Sequence, residues 1–313
     1  MTTRAAATIA LTLFAQCVPS LATPGIAYQT TQPTFRSAVD RVSVAAVVRD
    51  KRGRFARNLR KEDFIVQENG ASREILEFHS DVNAPVRVAL LFDVSGSMRM
   101  STRLENARQA ARHVLAAMKL GADEAAVFSF DMNLQSLQPF TADASAIESA
   151  LARVQPYGQT SLYDAIANTS RRVAERAAGD SRRRAVVVFT DGMDTSSQLK
   201  PEQVSAIASE IDVPVYVITV VSQGDRDRGT ADAPDDPLRA LARWTGGEMF
   251  VTSSPAHESV AARQIVDELR HQYVLAFNAS PAKGWHPLDV KTKDRDLTVR
   301  ARSGYAAGAR AGS

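Results

Sequence analysis

The chain has 313 residues, of which 44% are hydrophobic and 23% are charged, so it can bury a full core and form one large domain with a smaller one. Its formal net charge of +3 is small for this length, and it has no long Lys/Arg run interleaved with aromatic residues. A nucleic-acid-binding surface is therefore poorly supported. Composition predicts a folded protein without a nucleic-acid partner.

The first 22 residues have the pattern of a secretory signal. Arg4 supplies the positive charge, Ala5 to Ala15 form a short apolar stretch, and Ser20-Leu21-Ala22 places small residues at the cleavage positions. The apolar stretch is about half of the roughly 20 residues that span a bilayer, and no later segment is both long and uncharged. We expect residues 1–22 to be removed and the mature protein, which would begin near Thr23, to be periplasmic or secreted without a transmembrane segment.

The single cysteine, Cys17, lies inside this signal. It would leave with the signal, so the mature chain could form no disulfide in an oxidising compartment. A lipid anchor at Cys17 and a membrane-anchored N-terminus are the alternatives to a mature chain that is released from the membrane.

Residues 35–83 have β character. Val42 to Val48 alternate as a strand, and Phe64 to Val66 form a second one. Glu68-Asn69-Gly70 predicts a hairpin turn, because Asn-Gly tolerates the positive φ values that two-residue turns need. Glu74 to Phe78 would then return as a third strand.

Residues 86–271 alternate apolar strands with amphipathic helices. Strands are expected at 86–92, 125–130, 185–189, 213–220 and near 249, and helices at 103–120, 144–154, 162–178, 201–211, 237–244 and 259–271. This alternation is typical of an α/β domain whose largely parallel sheet is covered by helices on both faces.

The end of the chain returns to β character, with strands expected at 272–277, 288–292 and 297–301. Three strands at each end are too few to form a stable sheet with a dry core alone. We therefore infer that residues 35–83 and 272–305 pair into one small β-sandwich beside the α/β domain at 86–271.

Polar residues follow the first apolar strand of this domain, in the order Asp93-Val94-Ser95-Gly96-Ser97. Ligands of open α/β sheets bind beyond the carboxyl ends of the strands, where these residues lie. A sharp turn at Gly96 would bring the carboxylate and the two hydroxyls together. Thr160, before a helix, and Asp191, after the strand at 185–189, lie in loops on the same face, so five oxygen-bearing side chains converge.

These residues resemble the metal-ion-dependent adhesion site (MIDAS) of von Willebrand factor A (VWA) domains. That site has Asp-x-Ser-x-Ser after the first strand, Thr in a later loop and Asp in Thr-Asp-Gly after an apolar strand. Further segments resemble a bacterial group of VWFA-related proteins, namely Asp63-Phe64, Glu68-Asn69-Gly70, Thr160 to Ala165, Thr245-Gly246-Gly247, Gln272-Tyr273 and Arg302 to Tyr305. The likeness extends from about residue 35 to about residue 305 and implies a Rossmann-like VWA fold.

The resemblance implies that Ser95, Ser97 and Thr160 coordinate a divalent metal, while Asp93 and Asp191 bind it directly or through water. Hard oxygen ligands suit Mg²⁺, with Mn²⁺ and Ca²⁺ as alternatives. Two nearby acids receive other roles. Asp164 is expected to be a first-turn charge of a helix, and Asp194 is expected to face solvent.

This ligand set predicts binding rather than catalysis. Two carboxylates and three neutral hydroxyls leave a dication incompletely neutralised when some acids act through water, so the metal would attract an Asp or Glu of a protein partner. The chain shows no general base beside the site, no Gly-x-Ser-x-Gly and no Gly-x-x-x-x-Gly-Lys. We predict an exported, metal-dependent adhesion or scaffold module and not an enzyme. The alternatives are a structural module, in which the metal only ties loops together, and a Mg²⁺-dependent hydrolase.

Overall fold

The computed structural model describes residues 41–307, except residues 82, 101, 157, 177–181, 211, 221–235 and 253. The described residues all belong to one unit, residues 39–313. The predicted secretory signal, Cys17 and the predicted start of the mature chain lie outside the described residues. None of the helices in the described part of the chain is long and apolar enough to cross a membrane.

The N-terminal segment contains four described strands. They are β1 (Arg41–Asp50), β2 (Phe64–Glu68), β3 (Ala71–Arg73) and β4 (Glu77–His79). β2 and β3 form a hairpin across Asn69 and Gly70, whose φ values of 51° and 79° are those that the Asn-Gly turn requires. The prediction that 74–78 is the returning strand was wrong. The return begins at Ala71, directly after the two-residue turn, and β4 belongs to a different sheet.

The middle of the chain builds a central sheet whose described strands number six. These are β5 (Val86–Asp93), β6 (Glu124–Phe130), β7 (Leu134–Thr141), β8 (Arg183–Thr190), β9 (Val215–Val220) and β10 (Met249–Thr252). The described helices are α1 (Arg103–Ala117), α2 (Ala144–Arg153), α3 (Leu162–Glu175), α4 (Pro201–Glu210), α5 (Pro237–Trp244) and α6 (Pro255–Arg270).

The central sheet is mainly parallel. Its spatial order is β10, β9, β8, β5, β6, β7, and β7 alone among these strands runs antiparallel to its neighbour. β7 was missing from the prediction because its side chains are at most half-buried at this edge and lack a regular apolar alternation. The prediction also began α6 too late, since Ser254 caps it and Pro255 occupies its first turn.

Helices cover both faces of this sheet. All eight residues of β5 are buried, and alternate side chains enter two different cores. Val88 and Leu90 pack with residues of α1, α2 and α6, whereas Ala89 and Leu91 pack with residues of α3, α4 and α5. A strand buried on both sides explains why residues 88–92 of β5 are continuously apolar.

The two ends of the chain meet in two four-stranded sheets. The C-terminal strands are β11 (Tyr273–Asn278), β12 (Gly284–Thr292), β13 (Leu297–Ala301) and β14 (Gly304–Ala307). One sheet has the order β13, β1, β11, β4 and the other β14, β12, β2, β3. Val44 and Leu275 of the first pack in one core with Val66 and Val290 of the second. The predicted fold class, an α/β domain with a β-sandwich made from both ends, is confirmed.

Candidate metal site

Three loops meet at the carboxyl-end edge of the central sheet. Site loop 1 (residues 93–97) follows β5, site loop 2 (residues 158–161) precedes α3, and site loop 3 (residues 190–195) follows β8. Because β5 and β8 are parallel neighbours, their carboxyl ends lie side by side. The predicted ligands are distributed over these three loops.

Asp93 is the most deeply buried of the predicted ligands, with an exposed fraction of 0%. Its Oδ1 accepts a hydrogen bond from Ser95 N at 2.9 Å, and its Oδ2 accepts one from the Thr190 hydroxyl at 2.6 Å. Burial raises the pKa of Asp93 to about 6 although these hydrogen bonds oppose the shift, and the Asp191 carboxylate raises it further. A carboxylate in such surroundings is stabilised by a cation.

The two serines of site loop 1 lie in direct contact, with Ser95 Oγ 3.0 Å from Ser97 Oγ. A 3-10 turn, Gly96–Arg99, begins between them. Gly96 does not have a positive φ, and a Cβ there would lie 3.7 Å from Gly158 O, an ordinary contact. The expectation that the turn depends on Gly96 was therefore wrong. Its N–H instead donates to Gly158 O at 3.0 Å and joins site loops 1 and 2.

Glycine is required at position 158. Gly158 has a φ of 96°, and a Cβ there would lie 2.9 Å from both Cβ and Oδ2 of Asp131. Two residues later, Thr160 is buried, and its backbone ties site loop 2 to site loop 3. Its carbonyl accepts hydrogen bonds from the N–H groups of Thr195 and Ser196 at 3.0 and 2.9 Å.

Asp191 makes an ion pair that the sequence did not predict. Arg103 Nη1 donates to Asp191 Oδ2 at 2.8 Å and to the Ser97 carbonyl at 3.0 Å. Arg103 is 9% exposed and is the first residue of α1. A cation is unfavourable at a helix N-terminus unless an anion compensates it, and this conflict was the one sequence signal that could have revealed the pair.

The two nearby acids, Asp164 and Asp194, accept hydrogen bonds from backbone N–H groups. Asp194 Oδ1 accepts hydrogen bonds from Leu162 N at 2.8 Å and from the Ser197 hydroxyl at 2.7 Å. Asp194 is half-buried, so the expectation that it faces solvent was wrong. Asp164 lies in the first turn of α3, as expected, and also accepts from two backbone N–H groups of the segment before α4.

The predicted ligands are thus brought together to different degrees. Ser95 and Ser97 touch, Asp93 is joined to site loop 3 through Thr190, and Asp191 is joined to Ser97 through Arg103. Thr160 is connected through its backbone. In the described part of the chain, no group of three or more His, Cys, Asp or Glu side chains is arranged to hold a metal. A donor set of two carboxylates and three hydroxyls fits a hard divalent cation.

The fold and these loops define an open α/β domain with a candidate cation site at the carboxyl ends of its strands. Residues 88–193, which include all five predicted ligands, match the family model of the von Willebrand factor type A domain. The chain therefore contains a domain of the von Willebrand factor A family, as the resemblance predicted. Comparison with curated proteins gives no match.

Several solved structures are similar in fold. The conserved hypothetical protein BatB from Bacteroides thetaiotaomicron has a TM-score of 0.48 and 18% identity, over 58% of this chain and 98% of that chain. An aerotolerance-related membrane protein from Bacteroides fragilis has a TM-score of 0.48 and 19% identity, over 58% and 99%. Proximal thread matrix protein 1 from the mussel byssus, with a zinc-occupied MIDAS motif, has a TM-score of 0.47 and 17% identity, over 64% and 49%.

Proposed function

We propose that this chain is an exported protein-binding module, used for adhesion or as a scaffold, whose VWA domain binds a partner through a divalent metal. The observation that carries the proposal is the environment of Asp93. This buried carboxylate has neutral hydrogen-bond partners, and a second carboxylate, Asp191, follows its partner Thr190 in the chain. Such a pair favours an external cation.

The proposed metal is Mg²⁺, with Mn²⁺ and Ca²⁺ as alternatives. The hydroxyls of Ser95, Ser97 and Thr160 would coordinate it, and Asp93 and Asp191 would bind it directly or through water. Bound there, the metal would supply a Lewis-acidic position open to an oxygen of a partner. The chain's own part is to hold these five side chains in three loops that already contact one another.

Arg103 makes the proposed site selective for an anionic partner. Two carboxylates and one guanidinium leave one net negative charge among Asp93, Asp191 and Arg103. A divalent cation would reverse this to one net positive charge in a largely buried setting, where charges are weakly screened. An Asp or Glu side chain of a protein partner would neutralise it.

The hydrogen bonds between the loops favour this proposal over a purely structural metal. Gly96 N donates to Gly158 O, Thr195 N donates to Thr160 O, and Arg103 joins site loops 1 and 3. These hydrogen bonds already hold the three loops together, so a metal is not needed to fix their arrangement. The structural role remains the second candidate, and the dependence of partner capture on the metal distinguishes the two.

A hydrolase would need a general base beside the metal. Three further acids lie in or near the site loops. Asp164 and Asp194 accept hydrogen bonds from backbone N–H groups, and so does Asp131, whose Oδ1 accepts one from Asn133 N at 2.8 Å. That arrangement fixes loops and is unlike that of a base positioned to take a proton from water. We therefore propose a binding module and not an enzyme.

The experiment compares wild type with Asp93→Ala by calorimetry with Mg²⁺, and by pull-down from the source organism's envelope fraction with and without EDTA. Asp93→Ala should weaken Mg²⁺ binding by at least about tenfold, because a carboxylate is lost from a shell otherwise rich in neutral hydroxyls. EDTA and Asp93→Ala should each abolish capture of the partner, and added Mg²⁺ should restore it to wild type alone.

The matched control is Asp289→Ala, which removes a half-exposed carboxylate from β12 in the sandwich. It should bind Mg²⁺ and partner as wild type does. Equal Mg²⁺ affinity for wild type and Asp93→Ala would refute the metal site. Partner capture that is insensitive to EDTA, in a protein that binds Mg²⁺ through Asp93, would instead support the structural role.

We also propose that residues 1–22 are a cleaved secretory signal and that the mature protein is periplasmic or secreted. We propose the domain boundaries predicted from the sequence, with a VWA domain at 86–271 and sandwich segments at 35–83 and 272–305. β5 begins at Val86 and β11 at Tyr273, which supports these limits. Mass spectrometry of protein from the native host should find an N-terminus near Thr23, and an intact Met1 would contradict export by cleavage.

A further inference from the structure

The methionines of the described chain divide sharply by exposure. Met98, Met118 and Met249 are buried, with exposed fractions of 1%, 8% and 5%. Met100, Met132 and Met193 are exposed to 62%, 59% and 57%. Single exposed apolar side chains are common, so exposure alone requires no explanation. The three exposed methionines need an explanation because of where they lie in the fold.

Each exposed methionine lies in or next to a site loop. Met193 is two residues beyond Asp191, and its N–H donates to Asp191 Oδ1 at 3.3 Å. Met100 closes the 3-10 turn of site loop 1, and its N–H donates to the Ser97 carbonyl at 3.1 Å.

The third methionine, Met132, reaches the site through its neighbour in the chain. It follows Asp131, whose carbonyl accepts a hydrogen bond from Ser161 N at 2.8 Å in site loop 2. The three methionines therefore belong to three separate segments that converge on one edge of the sheet. We call Met100, Met132 and Met193 the methionine rim.

The chemistry of the rim differs from that of the site loops beside it. Methionine is unbranched and polarisable, so exposed methionines fit apolar side chains of varied shape. The other large apolar side chains exposed in the described part of the chain are not methionines, namely Leu76, Trp244, Val260 and Trp285. In many interfaces the contacts around a central residue exclude water from it, and apolar side chains beside a charged contact can do the same.

We propose that the methionine rim binds apolar side chains on both sides of the partner's carboxylate, so that the recognised segment is an Asp or Glu flanked by residues such as Leu, Ile or Phe. This inference rests on the proposed function, which supplies the carboxylate. Charge complementarity selects the centre of the segment, because Arg103 and a dication outweigh Asp93 and Asp191. The rim selects its neighbours and excludes water from the contact between carboxylate and metal.

The test uses displayed peptides with a fixed central Asp and random flanking positions, selected on the full mature chain with Mg²⁺. Leu, Ile, Phe or Met should be enriched next to the Asp. An enriched peptide is then synthesised and titrated against wild type and the triple variant Met100→Gln/Met132→Gln/Met193→Gln. The triple variant should bind it at least about tenfold more weakly, since the apolar contact area is lost, and should bind Mg²⁺ unchanged.

Methyl NMR of labelled methionine gives a readout that a folding defect would not imitate. Addition of peptide with Mg²⁺ should shift the methyl signals of Met100, Met132 and Met193. Met118 and Met249 serve as internal controls, because they are buried and lie outside the site loops. Val260→Gln is the matched surface control and should bind the peptide as wild type does.

The outcomes separate the rim from the metal site. Selected peptides with polar residues beside the Asp, or equal affinity of the triple variant, would overturn the rim while the proposed function stands. A selection with no Mg²⁺-dependent enrichment would contradict the proposed function and the rim together. Enrichment of apolar neighbours with loss of binding in the triple variant supports both.

Discussion

Two of the protein's fully buried carboxylates have partners that differ in charge. Glu68 lies in the sandwich and Asp93 at the edge of the central sheet. Glu68 forms an ion pair with Arg73, lies 2.8 Å from His286 Nδ1 and accepts the Tyr305 hydroxyl. Asp93 accepts hydrogen bonds from a backbone N–H and a threonine hydroxyl. The first carboxylate has a cation within the protein, and the hydrogen-bond partners of the second are neutral.

Their pKa values shift in opposite directions for this reason. Burial alone would raise the pKa of Glu68, but the hydrogen bonds from Tyr305, Ser280 and Arg73 outweigh it, so that pKa is lowered. For Asp93 burial prevails and raises the pKa to about 6. A buried acid with internal partners stabilises the fold, whereas one without a cation is a candidate for function.

The largest expected effect is on stability when Glu68 is removed. Glu68→Ala should lower the free energy of unfolding by about 3 kcal/mol at neutral pH, because it leaves the half-buried Arg73 and the buried His286 and Tyr305 without their acceptor. Its lowered pKa means that the carboxylate stabilises the fold above its unfolded-state pKa and ceases to do so as the pH falls through the folded-state pKa. Urea denaturation should therefore show the difference from wild type narrowing in acid.

Asp289→Ala is again the control for this measurement, since loss of a half-exposed carboxylate should change stability by less than about 0.5 kcal/mol. Mg²⁺ affinity of Glu68→Ala should equal that of wild type below its melting temperature. A Glu68→Ala protein as stable as wild type would remove the distinction between the two carboxylates.

The second prediction concerns Asp93 in the metal-free protein. A pKa raised to about 6 means that the protonated acid is compatible with the fold, and stability is lost as the pH rises through that value. In EDTA, the unfolding free energy of wild type should fall relative to that of Asp93→Ala by about 2 kcal/mol between about pH 4 and about pH 8. Glu68 produces the opposite trend.

Saturating Mg²⁺ should cancel this loss in wild type, because the metal supplies the cation that Asp93 lacks. Asp93→Ala should show no such rescue. A pH profile that is identical for the two proteins in EDTA would mean that Asp93 is satisfied inside the fold, as Glu68 is.

The sequence predicted the parts of the fold that depend on local pattern. β5 and β8 contain the continuous apolar stretches 88–92 and 185–189, and the motif at 93–97 directly follows the first of them, so the existence and position of both strands could be read from residues alone. β7 could not, since a half-exposed edge strand has a weak apolar pattern. The hairpin β2–β3 was identified by its turn, but the strand that returns from it was misplaced.

The contacts of Glu68, Asp191 and Asp194 with partners that are distant in the sequence could not be predicted. Three partners of Glu68, at residues 280, 286 and 305, lie between 212 and 237 positions away, and Arg103 lies 88 positions from Asp191. No local sequence pattern predicts such contacts. Asp194 was placed in solvent for the same reason, because its partner Leu162 lies 32 positions away.

Asp194 shares features with both Glu68 and Asp93. This half-buried acid lies in site loop 3, yet its hydrogen bonds stabilise the fold. The side chain of Ser161, at the cap position of α3, does not bond the helix N-terminus, and Asp194 accepts the Leu162 N–H in its place. Asp194→Ala should therefore cost about 1 kcal/mol of stability, whereas Asp194→Asn, which keeps an acceptor oxygen, should cost little. Thermal unfolding of both variants measures this difference.

The same variants should have the smallest effect on the metal. Leu162 follows Thr160 and Ser161, so loss of the cap would loosen site loop 2 and weaken Mg²⁺ binding in Asp194→Ala by a few-fold at most, with Asp194→Asn near wild type. That change is far below the loss expected for Asp93→Ala. If Asp194→Ala instead abolished Mg²⁺ binding at unchanged stability, Asp194 would be a ligand, and the charge balance assigned to Asp93, Asp191 and Arg103 would be wrong. Calorimetry on the four proteins, wild type included, decides between these two roles.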